Sequence, residues 1–276
     1  MTDEKICIHK YLTHCKSNPQ PPGFADFLRG TIACYMFAQK YGYKLYVEST
    51  HPVFRGLSHS EFLISDAANT NIIELLPPLS YREIYSRINA LFMSGRSFTI
   101  MTNSFYNQHD GRLDNWGTLT DSCKHFLKKL VRPSDHVTEK MECVFNSVYK
   151  FKIYESFKII HLRCGDTLLH SGTTDERMFA TFLSKIDILL YETPYKYVLI
   201  SDSSGIARKL KYARPQLYYW DNNKVHLGDL INTTDDAIID TMTDFFILSK
   251  STEIITNGSG FSTIVSQIFD IRYTHF

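Results

Sequence analysis

Four short stretches place charged, hydroxyl-bearing or glycine residues at the end of an apolar run or the start of a helical one. His161-Leu-Arg163-Cys-Gly165-Asp166 closes a β-like run and sets an arginine at its carboxyl end. A guanidinium has the planar fork that grips a phosphate through two parallel N–H bonds, so the pattern suits anion binding. A structural ion pair between Arg163 and an acid is the alternative. Asn257-Gly-Ser259-Gly260-Phe261-Ser262 joins a strand to a helix. Such a turn offers backbone N–H groups and hydroxyls to an anion at a helix N-terminus, or else Ser259 or Ser262 simply caps the helix. No Gly-Lys-Ser/Thr follows, so it is not a P-loop. Pro21-Pro22-Gly23-Phe-Ala-Asp26-Phe-Leu28-Arg29-Gly30 opens the first long helix. There Asp26 is either an acid presented by a fixed loop or a first-turn carboxylate stabilised by the helix dipole. Tyr197-Val-Leu-Ile-Ser201-Asp202-Ser203 is another strand ending in an acid. From that place a carboxylate accepts from a ribose or base, or caps the next helix.

Weaker candidates surround these. His51 and His59 could reach a cleft, although a lone histidine is more often structural, and Thr102-Asn103 follows a strand-like run. His226-Leu-Gly228 reads as a loop able to touch a nucleotide. The seventeen tyrosines and nineteen phenylalanines form no stripe beyond what a core needs.

The elements that must hold these residues alternate. Strands are expected at Lys5–His9, Lys44–Val47 and Ser97–Thr102, with a helix over Phe24–Tyr41 that stops at Gly42 and a long helix over Ser134–Tyr149 introduced by Pro133. The alternation then restarts with strands at Phe157–Arg163, Tyr197–Ser201, Leu217–Trp220, Glu253–Thr256 and Ile271–Thr274. Helices are expected over Asp175–Tyr191, Gly205–Tyr212, Asp235–Ser249 and Phe261–Phe269. This is an α/β pattern of parallel sheets covered by helices. A boundary near Lys150–Ser156 divides it into residues 1–150 and 151–276, with a ligand expected beyond the carboxyl ends of the strands.

Composition narrows the class. A chain of 276 residues, 43% hydrophobic and 21% charged, has an ordinary globular balance and suits one or two domains. Thirty basic against twenty-nine acidic side chains make a general nucleic-acid binder a poor fit. The six cysteines are scattered without a C-x-x-C pair, which argues against a zinc knuckle, a redox pair or a disulfide framework. The start, Met1-Thr-Asp-Glu-Lys, does not read as a signal peptide, and no apolar run approaches the ~20 residues of a membrane span. A reduced, cytosolic compartment is therefore expected.

Taken in order, these motifs resemble the fucosyltransferase superfamily, which includes the α1,2-, α1,6- and protein O-fucosyltransferases. His161–Asp166 resembles its His-x-Arg-(Arg)-Gly-Asp motif. Asp244-Phe-Phe-Ile-Leu248-Ser249 with Asn257–Ser262 resembles its carboxyl-terminal Asp-x-x-x-Leu-Ser…Ser-Ser-Phe-Ser block. Gly23–Leu28 resembles its Gly-x-Gly-Asn-Gln-Leu/Met segment. The likeness runs over roughly residues 20–270. Two residues depart from it: Cys164 stands where the α1,2 and α1,6 groups have a second arginine, and Asp26 stands where an asparagine is usual.

The resemblance implies two facing Rossmann-like domains of GT-B type, an acceptor-side domain followed by a nucleotide-sugar-binding one. It implies metal-independent, inverting transfer of L-fucose from GDP-fucose to a glycan hydroxyl, with no cofactor and no metal, and the chain has no Asp-x-Asp motif. Arg163 then stabilises the leaving β-phosphate and Asp26 is the base. Donor binding falls to His161, Gly165, Asp166, Asp202, His226 and Asp244, and to the turn Ser259, Gly260, Phe261 and Ser262. Gly23, Arg29, His51 and Asn103 lie on the acceptor side. Acceptor pockets fall in the loops Thr50–Pro77 and Ser104–Trp116. A chain with neither anchor nor leader suits the cytosol of a bacterium or of a virus-infected host. Another nucleotide donor (a UDP- or GDP-linked hexose, pentose or rhamnose) and a non-catalytic nucleotide-sugar or glycan binder are the alternatives.

Overall fold

The computed structural model describes residues 4–11, 23–65, 72–75, 80–102, 119–165, 175–192, 195–225, 227 and 233–276. The chain forms two compact units, Met1–Arg132 with Leu227–Thr233, and Pro133–His226 with Thr234–Phe276.

In the first unit the elements run β1 (Ile6–Lys10), α1 (Phe24–Tyr41), β2 (Lys44–Glu48), a 3₁₀ turn (Pro52–Gly56), β3 (Leu63–Ile64), β4 (Ile72–Glu74), α2 (Tyr81–Met93), β5 (Phe98–Met101) and α3 (Asp121–Leu130). The strands make one parallel sheet in the order β3-β2-β1-β5-β4, with Ile6 opposite Lys44 and Cys7 opposite Phe98. Helix α1 buries Phe27, Leu28, Ile32 and Phe37, the helical spacing its sequence carries. It ends at Gly42, whose φ of 69° is the left-handed C′ conformation glycine takes without strain, and whose N–H bonds Ala38 O. Helix α2, not anticipated, starts at a capping box: Ser80 Oγ accepts from Glu83 N while Glu83 Oε2 accepts from Ser80 N. Helix α3 likewise begins at the cap Thr120.

The second unit contains α4 (Asp135–Cys143), β6 (Lys158–Leu162), α5 (Glu176–Glu192), β7 (Tyr197–Ser201), α6 (Ser204–Ala213), β8 (Tyr218–Tyr219), α7 (Asp235–Leu248), β9 (Glu253–Thr256), α8 (Gly260–Phe269) and β10 (Arg272–His275). Its sheet is also parallel, ordered β10-β9-β6-β7-β8. Strands β7 and β9 are buried along their whole length, as strands covered on both faces must be. Ile160, Leu199 and Ile255 from the sheet pack with Ile186 of α5 and Leu210 of α6 in one core.

The division between the units lies at Arg132/Pro133, not near Lys150–Ser156. The helix expected to close the first half packs instead on α7. Its continuation is also different: α4 stops at Cys143 and residues Val144–Tyr149 make a π-helical turn ending at Lys150 with a φ of 57°. Helical periodicity reveals a buried face but not which sheet covers it.

Candidate functional site

The second sheet collects three of the four stretches at one edge. Strand β6 lies between β7 and β9, so its carboxyl end has Asp202 on one side and Asn257 on the other. Each neighbour binds the segment that follows β6. Asp202 Oδ2 accepts from Arg163 Nη1 at 2.5 Å and from Gly165 N at 3.1 Å, and its Oδ1 accepts from Cys164 N at 2.6 Å. Asn257 holds the opposite side, accepting Arg163 N on Oδ1 and donating through Nδ2 to Arg163 O, both at 2.8 Å. Arg163 is thus fixed through its backbone by Asn257 and through its guanidinium by Asp202, and its side chain stays one-third exposed (34%). The ion pair foreseen as an alternative for Arg163 is present. Gly165 has a φ of 104°, a conformation that favours glycine, so the chain turns sharply just after the two successive N–H groups that bond Asp202.

Cys164 lies half-buried with Sγ 3.5 Å from Ser201 Oγ. Burial, chiefly, pushes its thiol up to about 12, so it is a neutral group at pH 7.

The turn after β9 is held from within. Thr256 Oγ1 accepts from Gly258 N, and Gly258 has a φ of 103°. Ser259 is the N-cap of α8, its Oγ accepting from Phe261 N at 3.2 Å, while Ser262, fully buried, donates to Ser259 O at 3.2 Å. The Ser262 hydroxyl is thus spent as a donor inside the turn, while Ser259 Oγ acts there as an acceptor. The first turn of α8 contains no acidic residue, so no side-chain carboxylate within it opposes the positive end of the helix dipole. Phe261 bridges the site: its ring lies 5.4 Å from that of Phe245 and 6.2 Å from that of His161.

His161 is buried, and its Nδ1 has no hydrogen-bond partner among the described residues. Burial first, then the charges of Lys224 and Arg163, push its pKa down to about 3, so the imidazole is neutral. Asp244, buried on α7, is raised by burial and forms an ion pair with Lys224 at 2.5 Å. Its carboxylate therefore holds the loop 221–225.

At the carboxyl edge of the first sheet, Gly23 is the N-cap of α1, and Asp26, three residues on, accepts from Arg29 Nη1 at 3.0 Å. Asp26 is thus a first-turn acid paired one turn along its own helix, and it adds to the burial that raises the Tyr11 hydroxyl. His51 stacks on Tyr11 with ring centroids 3.8 Å apart, and its Nδ1 accepts from Val53 N at 3.2 Å. Burial lowers it to about 4, so it is the neutral tautomer with the proton on Nε2, which has no partner among the described residues. Asp166, His226 and Asn103 lie outside the described residues.

Four residues with structural roles here are not legible in the sequence. Asn257 stands inside a recognised motif, yet its bonds to the Arg163 backbone join residues 94 apart. Lys224 sits in a polar stretch that reads as a solvated loop. Lys10 and Glu48, an ion pair at 2.9 Å between the last residues of β1 and β2, carry no motif at all. Among the described residues no cluster of His, Cys, Asp or Glu could hold a metal ion, and no helix is long and apolar enough to cross a membrane.

No family model and no curated protein matches the chain by sequence. Solved structures do match its fold. The NodZ α-1,6-fucosyltransferase soaked with GDP-fucose aligns with a TM-score of 0.63 at 12% identity, covering 96% of this chain and 93% of that one. An Arabidopsis thaliana FUT1 variant in complex with GDP aligns at 0.61 and 11% identity, over 99% of this chain and 70% of that one. POFUT1 in complex with GDP-fucose aligns at 0.52 and 11% identity, over 99% and 98%. The chain therefore has the two-sheet α/β fold of the fucosyltransferases, the fold that the order of its motifs implies.

Proposed function

We propose that this chain, built on the fucosyltransferase fold, is a metal-independent inverting glycosyltransferase that moves L-fucose from GDP-fucose to a glycan hydroxyl. The observation that carries the reading is Arg163, held by Asp202 and Asn257 at the carboxyl end of the central strand of its sheet. The acceptor oxygen attacks the anomeric carbon from the face opposite the leaving group. The bond from that carbon to the β-phosphate oxygen breaks, and GDP departs with the electron pair. Negative charge grows on the β-phosphate, and a positioned guanidinium stabilises it without having to reorganise. The backbone N–H groups at the start of α8 add the positive end of a helix. Neutral His161 lies beside this edge as a polar group that does not compete for the phosphate's charge.

Asp26 takes the acceptor proton in this reading. Its Oδ1 accepts from Arg29 Nη1 at 3.0 Å, which orients the carboxylate. His51, its Nε2–H unpartnered among the described residues, joins Gly23 and Arg29 on the acceptor side.

The test is transfer of labelled fucose from GDP-fucose to a panel of glycans in excess chelator, with the anomeric configuration of the product read by NMR. The Arg163→Ala variant is expected to lose about 10²–10³ in turnover, the scale for one preorganised charge stabiliser. Near-normal turnover by that variant refutes the role of Arg163, and a requirement for added divalent metal refutes metal independence.

A further inference from the structure

The first unit contains a cavity of about 310 Å³ that the reading so far does not use. Gly42, which ends α1, and Lys44, which opens β2, both line it, so it lies at the amino end of the parallel sheet. Asp26 and His51 stand at the carboxyl end. Gln39, another lining residue, is about 20 Å along α1 from Asp26 at a rise of about 1.5 Å per residue.

The walls are aromatic and fixed. Tyr35 of α1 stacks on Phe126 of α3 with ring centroids 4.5 Å apart, and Phe62 meets Phe126 edge-on at 4.9 Å. Tyr35 Oη donates to Ser122 O at 3.2 Å, so both its ring and its hydroxyl are anchored to α3. Phe126 is buried, whereas Tyr35 and Phe62 keep part of their surface open. The rim is polar. Gln39, exposed and four residues on from Tyr35, brings an amide that both donates and accepts. Lys44 and Glu4, the charged lining residues, stand 3.5 Å apart, so the cavity carries no net charge.

These features select a ligand. The space is at the lower end of the ~300–1,000 Å³ of small-molecule sites, so it suits a small ring compound rather than a helix. A phosphate or carboxylate meets no unpaired cation, because Lys44 is matched by Glu4. A pyranose fits both walls and rim. Its C–H face is apolar and lies flat on an aromatic ring, while its hydroxyls point outward to a group that donates and accepts. Tyr35 is already held, so little freedom is lost on binding.

We propose that this cavity binds a neutral pyranose residue of a glycan, with Tyr35 as the platform and Gln39 as the hydrogen-bonding group. The glycan class rests on the transferase reading above, in which the site holds a sugar remote from the reacting hydroxyl.

The experiment is an NMR titration of the intact protein, without nucleotide, with lactose, xylotriose, maltotriose and chitotriose. It is run on wild type, Gln39→Leu and Tyr35→Leu, which place a good helix former on α1. At least one sugar is expected to bind and to shift the side-chain NH₂ signal of Gln39, identified by its loss in Gln39→Leu. Each variant is expected to weaken binding about 2- to 10-fold, the range for one neutral hydrogen bond or one ring stack. Gln39→Leu alone carries the comparison if Tyr35→Leu fails to fold. Binding of none of the four sugars, or binding that Gln39→Leu leaves unchanged, overturns the proposal. A dimer seen by sedimentation and broken by Gln39→Leu, with no sugar bound, overturns it by making the cavity a contact between copies. A wild type that binds GDP but no sugar removes this inference alone. Sugar binding at Gln39 without GDP binding keeps the site and removes the donor reading.

Discussion

Replacing Asp202 with asparagine strikes the junction on which the proposed mechanism depends. The carboxylate accepts three N–H groups, two on Oδ2 (Arg163 Nη1 and Gly165 N) and one on Oδ1 (Cys164 N). An amide of the same shape has one acceptor oxygen and one donor NH₂. With its oxygen toward Arg163, the NH₂ faces Cys164 N; turned over, it faces Arg163 and Gly165 N. Either way at least one bond becomes a donor–donor clash and the ion pair is lost. The pair itself counts for up to about 1 kcal/mol, because the arginine is one-third exposed and solvent screens it. A hydrogen bond from a backbone amide to a carboxylate is worth about 1.5–3 kcal/mol. The second unit should therefore lose about 2–4 kcal/mol, which lowers a urea midpoint by about 1–2 M at a slope near 2 kcal/mol/M. Trp220 reports this unit once Trp116, the other tryptophan, is changed to phenylalanine. Turnover should fall about 10- to 100-fold as Arg163 loses its anchor, with GDP still bound. A variant whose midpoint and turnover both match those of wild type would refute the assignment of Asp202 as the residue that positions Arg163.

Acid should unfold the first unit ahead of the second. His9 and His51 are lowered to about 4 and His161 to about 3, each mainly by burial. Between their ordinary value of 6.5 and these values the unfolded chain binds the proton and the folded one does not. Stability is thus fully present above 6.5 and falls as pH drops, by up to about 1.4 kcal/mol per pH unit for each histidine. The first unit carries two of them and the second one; urea midpoints that stay flat from neutral pH down to about 4.5 would contradict this. For Asp26→Asn the expected result is loss of transfer with GDP affinity retained, measured by product formation and calorimetry. Persisting transfer would mean that Asp26 only steadies the first turn of α1.

Much of this fold is legible because parallel strands buried on both faces are short apolar runs, as Tyr197–Ser201 and Glu253–Thr256 show. Helix α1 declares itself by apolar spacing and by Gly42. Helix α2 has its own signals, the capping box Ser80-x-x-Glu83 and the buried Ile84, Ile88 and Phe92 at helical spacing. β3 and β4, two and three residues long, are too short to show a period. The candidate site divides in the same way. Arg163, Asp202 and the turn at Ser259 are legible as candidates because each ends a strand or starts a helix. Lys224 and the clamp by Asn257 are not, since partners 20 and 94 residues apart meet only once the sheet is formed. The unit boundary was displaced for a related reason: the helix over Asp135–Cys143 shows an apolar face, and only packing reveals that α7 covers it.

The most direct measurement is calorimetric titration of GDP, UDP, CDP and dTDP into the intact protein in excess chelator. The account predicts that GDP binds, that the other three bind more weakly, and that adding magnesium changes nothing. Preferential binding of UDP or dTDP would contradict the proposed donor, and binding of none of the four would contradict the nucleotide site itself.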